Sequence, residues 1–203
     1  MNASAASAAS AVPAPGLEQL LTFITPMDTC RGMFFNGLLE AVRSLGGDEA
    51  RTRCFVAAGE KRFVDFFSYP VADFLKGVFT AVELLGPEHG GHDAVLRQLG
   101  RRATQDFLHS TVGKTMMALA GTEPFRVLSS FPSAYRASLS YGERSVERLG
   151  EQRARMMARR DFLPLAYNEG VLLAALEQSS ARELQVEGHR MAPLDVDYDI
   201  RWT

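Results

Sequence analysis

The sequence predicts an α+β fold in which an N-terminal helical block precedes an antiparallel ββαββ sheet. Between Asp28 and Gly142, apolar residues recur every three or four positions, which is typical of amphipathic helices. Beyond Gly142, apolar residues alternate with polar ones in short segments, and these segments flank one further helical segment. That alternation indicates strands with one buried face. We therefore predict a single α+β domain at residues 17–203.

Composition excludes several classes of function. The chain has 203 residues, enough to bury a sizeable core. It carries 22 Lys and Arg against 24 Asp and Glu, so no basic field draws it to nucleic acid. The only cysteines, Cys30 and Cys54, are too few for a disulfide framework, which predicts a reducing, cytoplasmic location. No apolar run approaches the ~18 residues of a transmembrane segment.

The first 16 residues, MNASAASAASAVPAPG, are rich in Ala, Ser and Pro. They contain too little large apolar surface to pack, so we predict a disordered leader at residues 1–16. A signal peptide is the alternative. It is not favoured, because the segment lacks a basic start and a strongly apolar centre.

Glycines and prolines divide the first part of the helical block. Residues 17–24 fit either a strand or a short helix. Asp28 and Thr29 offer N-cap oxygens to a long helix that a glycine pair ends. We predict a shorter helix from there to Gly59 and another helix after Pro70.

The longest helix-patterned stretch spans residues 96–142, and the rest of the chain is predicted to cover it. A long amphipathic helix to Thr111 is followed by a short one that Gly121 closes. A last helix begins near Thr122, whose hydroxyl is a candidate cap. Pro132 should kink or restart this helix, because proline cannot donate the hydrogen bond of the helical ladder.

The remaining residues predict two strand pairs separated by a helix. The helix begins after Pro164, and the segment GHRMAP is predicted to be the loop of the second pair. In the last strand, apolar and polar residues alternate without exception. The strands are placed at residues 144–149, 153–159, 183–187 and 194–202.

Four segments carry a resemblance to known proteins. DTCRGMFFNGLLEAVRSLGG, RFVDFFSYPVADFL, LRQLGRRATQDFLHSTVGK and PSAYRASLSYGERSVE resemble a family of uncharacterised proteins of about this length that is multiplied in myxobacteria. More distantly, the helical block followed by ββαββ is similar to the superfamily of haem nitric oxide/oxygen-binding domains, 4-vinyl reductase domains and transport-particle (TRAPP) subunits. The residues that stand in places comparable to those of the haem-binding members are Leu99, Gly100, Phe107, Gly113 and Gly121.

The same resemblance implies that haem is not bound in the familiar way. Tyr135 stands where the haem-binding relatives present a proximal histidine. Tyrosine can ligate ferric haem, but the motif that holds the propionates in those relatives is incomplete. Its positions would fall on Arg155, Met157 and Arg159. We therefore expect no cofactor, and a core tyrosine with a satisfied hydroxyl is the alternative role for Tyr135.

Two functions remain open. The first is a non-enzymatic ligand-binding or sensory domain in intracellular signalling, with an apolar pocket for a lipid-like or other small hydrophobic molecule. The second is a protein-interaction adaptor or assembly subunit, with a protein partner or a second copy and no small ligand. The same side chains would form plain core if there were no pocket. The candidate lining residues are Phe107, Met116, Met117, Phe131, Tyr135 and Leu139.

Other candidate sites are weaker. Cys30 is a candidate for acylation, as in some transport-particle relatives, with a packed thiol as the alternative. The segment EHGGHD lacks a remote third ligand, so no metal site is predicted, and no catalytic constellation is found. A basic cluster is a candidate contact for an anion or acidic partner, with surface ion pairing as the alternative. It consists of Arg97, Arg101 and Arg102.

Overall fold

The computed structural model describes residues 12–109 and 111–203. Most of the predicted leader, residues 1–11, lies outside this part. The helices are α1 (Leu17–Phe23), α2 (Gly32–Ala57), α3 (Val71–Leu85), α4 (His92–His109), α5 (Thr111–Ala120), α6 (Pro124–Ser138) and α7 (Leu165–Leu176). The strands are β1 (Thr29–Arg31), β2 (Ser68–Pro70), β3 (Glu143–Gly150), β4 (Arg153–Arg159), β5 (Gln185–Ala192) and β6 (Asp195–Arg201).

The two helices predicted before Gly59 form one kinked helix, α2. Gly47 adopts φ 77° and ψ −173° inside it, a left-handed φ that favours glycine. The predicted break at the glycine pair is therefore confirmed, since the non-helical Gly47 separates two helical segments that meet at a kink within α2. The predicted N-caps of this helix are wrong, because Thr29 lies in β1 and α2 begins at Gly32 without a side-chain cap.

The aromatic segment before Pro70 packs onto α2 instead of extending a sheet. Phe63 stacks on Phe35 with ring centroids 4.1 Å apart, and Tyr69 meets Phe63 edge-on at 5.1 Å. Such aromatic pairs stabilise beyond the area they bury. Only Ser68–Pro70 forms a strand, which pairs antiparallel with β1.

The structure corrects the predicted cap of α6 and the predicted end of β5. Glu123, not Thr122, caps α6, because its carboxylate accepts the backbone N–H of Arg126 at 2.6 Å. Pro132 lies inside α6, which continues as one helix from Pro124 to Ser138. The segment GHRMAP is largely strand, because β5 extends to Ala192.

The predicted ββαββ unit is confirmed as a four-stranded antiparallel sheet in the order β3-β4-β6-β5. Val196, Tyr198 and Ile200 on β6 are buried, as the alternation predicts. This face packs against the C-terminal helices, with α6 on β3 and α7 on β5. The opposite face is polar, since Arg155 of β4 stands directly across from Asp199 of β6.

A buried carboxylate connects the segment before β1 to the residue that follows β4. Asp28 is 4% exposed, and its two carboxylate oxygens accept hydrogen bonds from Arg160 at 2.7 and 2.8 Å. The Arg160 guanidinium, followed by the backbone and hydroxyl of Thr25, lowers the pKa of Asp28 from 3.8 to about 2 against the opposing effect of burial.

We expect Asp28→Asn to lower the free energy of unfolding by about 1–2 kcal/mol at pH 7. Because the folded-state pKa is depressed, the carboxylate stabilises the fold fully above the unfolded-state pKa. That stabilisation is lost as the pH falls from about 4 through about 2. Urea unfolding of both proteins at pH 7, 4 and 2.5 measures this. A difference that does not shrink with acidification would contradict the assignment.

Candidate functional site

A cavity of about 830 Å³ opens among α2, α4, α5, α6 and α7. Its lining is mainly apolar. α4 contributes Phe107 and Leu108, α5 contributes Met116 and Met117, and α6 contributes Phe131. The volume lies within the range of about 300–1,000 Å³ that ligand pockets occupy.

The structure brings most of the predicted lining residues together. Phe107, Met116, Met117, Phe131 and Tyr135 all line the cavity. Leu139 does not, because α6 ends at Ser138 and Leu139 is extended, with φ −122° and ψ 142°. Its side chain is buried elsewhere, and its backbone forms a bridge with Cys30.

Several lining residues come from segments that the sequence did not connect with the pocket. Phe34 lines the cavity from α2, and Phe66 lines it from the loop before β2. Tyr167 and Val171 supply the α7 side. No local pattern marks these residues, because each belongs to a helix or loop whose apolar residues look like ordinary core. Their shared environment arises only when the helices pack.

Tyr135 lies where the cavity meets a buried polar network. Its hydroxyl donates a hydrogen bond to Oδ1 of Asn168 at 3.2 Å, and the Asn168 amide donates to Asp161 at 2.9 Å. Asp161 forms an ion pair with Arg144 at 2.7 Å, with only 1% and 2% of the two side chains exposed. The network links α6, α7 and β3.

Charge in this network is balanced inside the protein. The Arg144 guanidinium carbon lies 4.3 Å from the centroid of the Tyr135 ring. Burial by itself lowers the pKa of Arg144, but Asp161 and the neighbouring tyrosines raise it above its ordinary value. Burial also raises the pKa of the Tyr135 hydroxyl, against the opposing charge of Arg144. Arg144 is therefore a cation and Tyr135 a neutral phenol.

The predicted basic cluster on α4 is engaged in ion pairs. Arg97 contacts Glu169 at 2.6 Å, and Arg102 contacts Asp106 at 3.2 Å. Arg101 pairs with Glu177. The Arg97 and Arg101 pairs join α4 to α7, and no member of the cluster lines the cavity.

Cys30 is 1% exposed, and burial raises the pKa of its thiol. It lies in β1 and does not line the cavity. Acylation of Cys30 remains a prediction, and it would require β1 to open. Within residues 12–109 and 111–203, no group of three or more His, Cys, Asp or Glu is placed to hold a metal ion. No helix in the same part of the chain is long and apolar enough to cross a membrane.

Comparisons with known proteins extend these observations. The family described as protein of unknown function (DUF2378) matches residues 24–203. None of the curated proteins compared with the sequence matches it significantly. Among solved structures, the chain is similar to H-NOX (haem nitric oxide/oxygen-binding) proteins.

The NO-bound Fe(II) H-NOX protein of S. oneidensis gives a TM-score of 0.68 at 12% identity over 85% of this chain and 99% of that one. The unliganded Fe(II) H-NOX protein of K. algicida gives 0.65 at 14% identity over 85% and 96%. An oxygen-binding H-NOX domain related to soluble guanylate cyclases gives 0.64 at 11% identity over 85% and 95%. The predicted fold class and the distant resemblance to the H-NOX superfamily are therefore confirmed.

The residues present do not fit a haem held as the resemblance implies. The resemblance puts Tyr135 at the position of the axial ligand, but its hydroxyl donates to Oδ1 of Asn168 at 3.2 Å, and the Arg144 guanidinium lies 4.3 Å from the centroid of its ring. Arg155 and Arg159 lie on the polar face of the sheet, paired with Asp199 and Asp197. Neither they nor Met157 line the cavity.

Proposed function

Because the chain belongs to the DUF2378 family of proteins of unknown function and has the H-NOX fold, we propose that it is a non-enzymatic ligand-binding or sensory domain. The ligand is a lipid-like or other small hydrophobic molecule that occupies the cavity. The S. oneidensis structure is that of a domain holding Fe(II) and NO. In this chain the same fold would serve a ligand that needs no metal.

The observation that carries the proposal is the composition of the cavity wall. Aromatic and aliphatic side chains from five helices face a space large enough for a small molecule. Met116 and Met117 add flexible, polarizable surface that adapts to ligand shape. Burial of apolar ligand surface would supply the free energy of binding at about 25 cal/mol per Å² before the costs of association.

The proposal is tested first on protein purified without denaturation. Native mass spectrometry should show an adduct that organic extraction removes and that reappears when the extract is added back. An absorption spectrum from 300 to 700 nm tests for a chromophore in the same sample. The proposal would be contradicted if the purified protein carried no adduct and bound none of a panel of hydrophobic molecules.

A cavity-filling variant ties binding to this site. Ala134 on α6 lines the cavity, so Ala134→Phe should occupy part of the ligand volume and weaken binding of a hydrophobic fluorescent probe about tenfold or more. Ala118→Phe is the matched control, because Ala118 is exposed on α5 and outside the lining. Equal probe affinity for both variants at equal thermal stability would place binding elsewhere.

Exposed apolar side chains at the cavity mouth favour a second candidate, an interaction adaptor. Leu119 and Phe66 line the mouth and are 76% and 65% exposed. Large exposed apolar side chains that lie together mark interaction sites. Sedimentation equilibrium of the wild type and of Phe66→Ser tests whether this surface joins two copies. A concentration-independent monomer would exclude the homodimer.

A further inference from the structure

The charged side chains among the described residues that line the cavity are all positive. The described residues that line it include Arg31 and Arg126 but no Asp, Glu or His. Elsewhere, most arginines near the site face a carboxylate, as Arg144 does with Asp161 and Arg97 with Glu169. The cavity wall is therefore apolar with positive charge at its edge, and no acid in the wall balances that charge.

Arg126 is the less engaged of the two arginines. The structure gives its guanidinium no hydrogen bond or ion pair within the described residues. Its nearest acid in the sequence is already occupied, because Glu123 accepts the Arg126 backbone N–H and pairs with Arg148 at 2.6 Å. Arg31 instead donates to neutral groups, namely the carbonyl of Phe66 at 2.6 Å, the carbonyl of Ala137 and the hydroxyl of Ser68.

Small hydroxyl side chains extend the polar edge around Arg126. Ser129 and Ser130 follow it by three and four positions on α6, so all three lie on one side of the helix and line the cavity. The apolar wall formed by Phe131, Met116 and Met117 lies beside this edge. Both hydroxyls donate to helix carbonyls, that of Ser129 to Phe125 and that of Ser130 to Val127 at 2.7 Å. The charge at this end of the site therefore comes from the arginines, and the rest of the wall offers apolar surface.

Resting on the proposed ligand-binding function, we infer that the ligand is an amphiphile with an anionic headgroup, a carboxylate or a phosphate, which Arg126 binds while the apolar tail fills the cavity. A guanidinium recognises both anions through paired N–H donors. A negative charge on the ligand at this position also balances the positive charge of the cavity wall, to which none of the described residues contributes a carboxylate.

The experiment measures displacement of a fluorescent fatty acid, cis-parinaric acid, by hexadecanoic acid, hexadecyl phosphate and hexadecanol. The wild type should prefer one or both anionic competitors over the alcohol. Arg126→Gln should weaken the preferred anion about five- to tenfold and leave the alcohol unchanged. Arg126→Lys should retain part of the preference, because it keeps the charge but not the paired donors. The acid and phosphate arms identify the headgroup.

Arg136→Gln is the matched control, because Arg136 is exposed on the same helix and does not line the cavity. If acid, phosphate and alcohol bind equally to the wild type and to Arg126→Gln, the headgroup inference is overturned while the apolar site stands. Loss of anion preference in Arg31→Gln but not in Arg126→Gln would overturn the assignment to Arg126. If no competitor and no probe binds, the proposed function itself fails.

Discussion

Gly170→Ala is expected to destabilise the protein by at least about 3 kcal/mol, a large part of the roughly 5–15 kcal/mol that holds a typical domain folded. A Cβ on Gly170 would lie 2.1 Å from the carbonyl oxygen of Arg97 and 3.0 Å from the backbone nitrogen of Arg101. Both belong to the backbone of α4, which cannot move aside as a flexible side chain can. The helices α4 and α7 would have to separate.

The opposite helix carries the reciprocal feature. A Cβ on Gly100 of α4 would lie 2.1 Å from the carbonyl oxygen of Tyr167 on α7. We expect Gly100→Ala to be equally damaging. The double variant should cost less than the sum of the two, because one separation of the helices relieves both clashes. Urea unfolding of the single and double variants measures these differences.

Gly37→Ala is the matched control for a glycine inside a helix. Its Cβ would meet the Cβ of Ala103 at 3.5 Å, an ordinary contact, so alanine's better helix propensity should leave stability unchanged or raise it by up to about 1 kcal/mol. If Gly170→Ala unfolds within 1 kcal/mol of the wild type, the close crossing of α4 and α7 is wrong. Both helices line the cavity, so that result would also revise the site.

The second large effect is expected from the buried ion pair. Arg144→Met removes the cation beside Asp161 and leaves that carboxylate buried, which should cost about 3–5 kcal/mol. Asp161 would keep the backbone N–H of Leu163 at 3.0 Å and the amide of Asn168 at 2.9 Å. These neutral donors solvate the charge only in part. Urea unfolding at pH 7 gives the free energy directly.

A double-mutant cycle separates the pair from its surroundings. Adding Asp161→Asn to Arg144→Met should restore part of the lost stability, because no unpaired charge then remains buried. Arg155→Met is the comparison at the surface, where the Arg155 side chain is 36% exposed beside Asp199, and it should cost no more than about 1 kcal/mol. Equal losses for Arg144→Met and Arg155→Met would show that burial adds nothing to the Arg144 pair.

Local patterns were sufficient for most elements of the fold. The helix after Pro70 and the β3–β4 hairpin lie where periodicity and turn residues place them. The errors are at element ends. Thr122 does not cap α6, because Glu123 one position later reaches the free N–H groups. The segment GHRMAP continues β5 because pairing with β6 satisfies its backbone, a long-range gain that the turn-like composition does not reveal.

The candidate site was only partly accessible from the sequence. Phe107, Phe131 and Tyr135 are found because they lie on the inner faces of adjacent helices that the pattern already identifies. For the arginines, the sequence offered ion pairing as one reading, and the structure shows it for the α4 cluster, but the sequence could not identify the partner of each arginine. Arg155 pairs with Asp199 because β4 and β6 are neighbours in the sheet, although the two residues are far apart in the chain.

The sequence by itself determined the helical block, the alternating strands of the sheet and the similarity in fold to H-NOX domains, because these depend on periodicity and on short segments of chain. Tertiary structure alone decided that a cavity exists, that Tyr135 hydrogen-bonds to Asn168 and that Arg126 has no acid partner at the cavity edge among residues 12–109 and 111–203. The physical reason is that a cavity and its charge balance depend on which distant side chains meet when the helices pack.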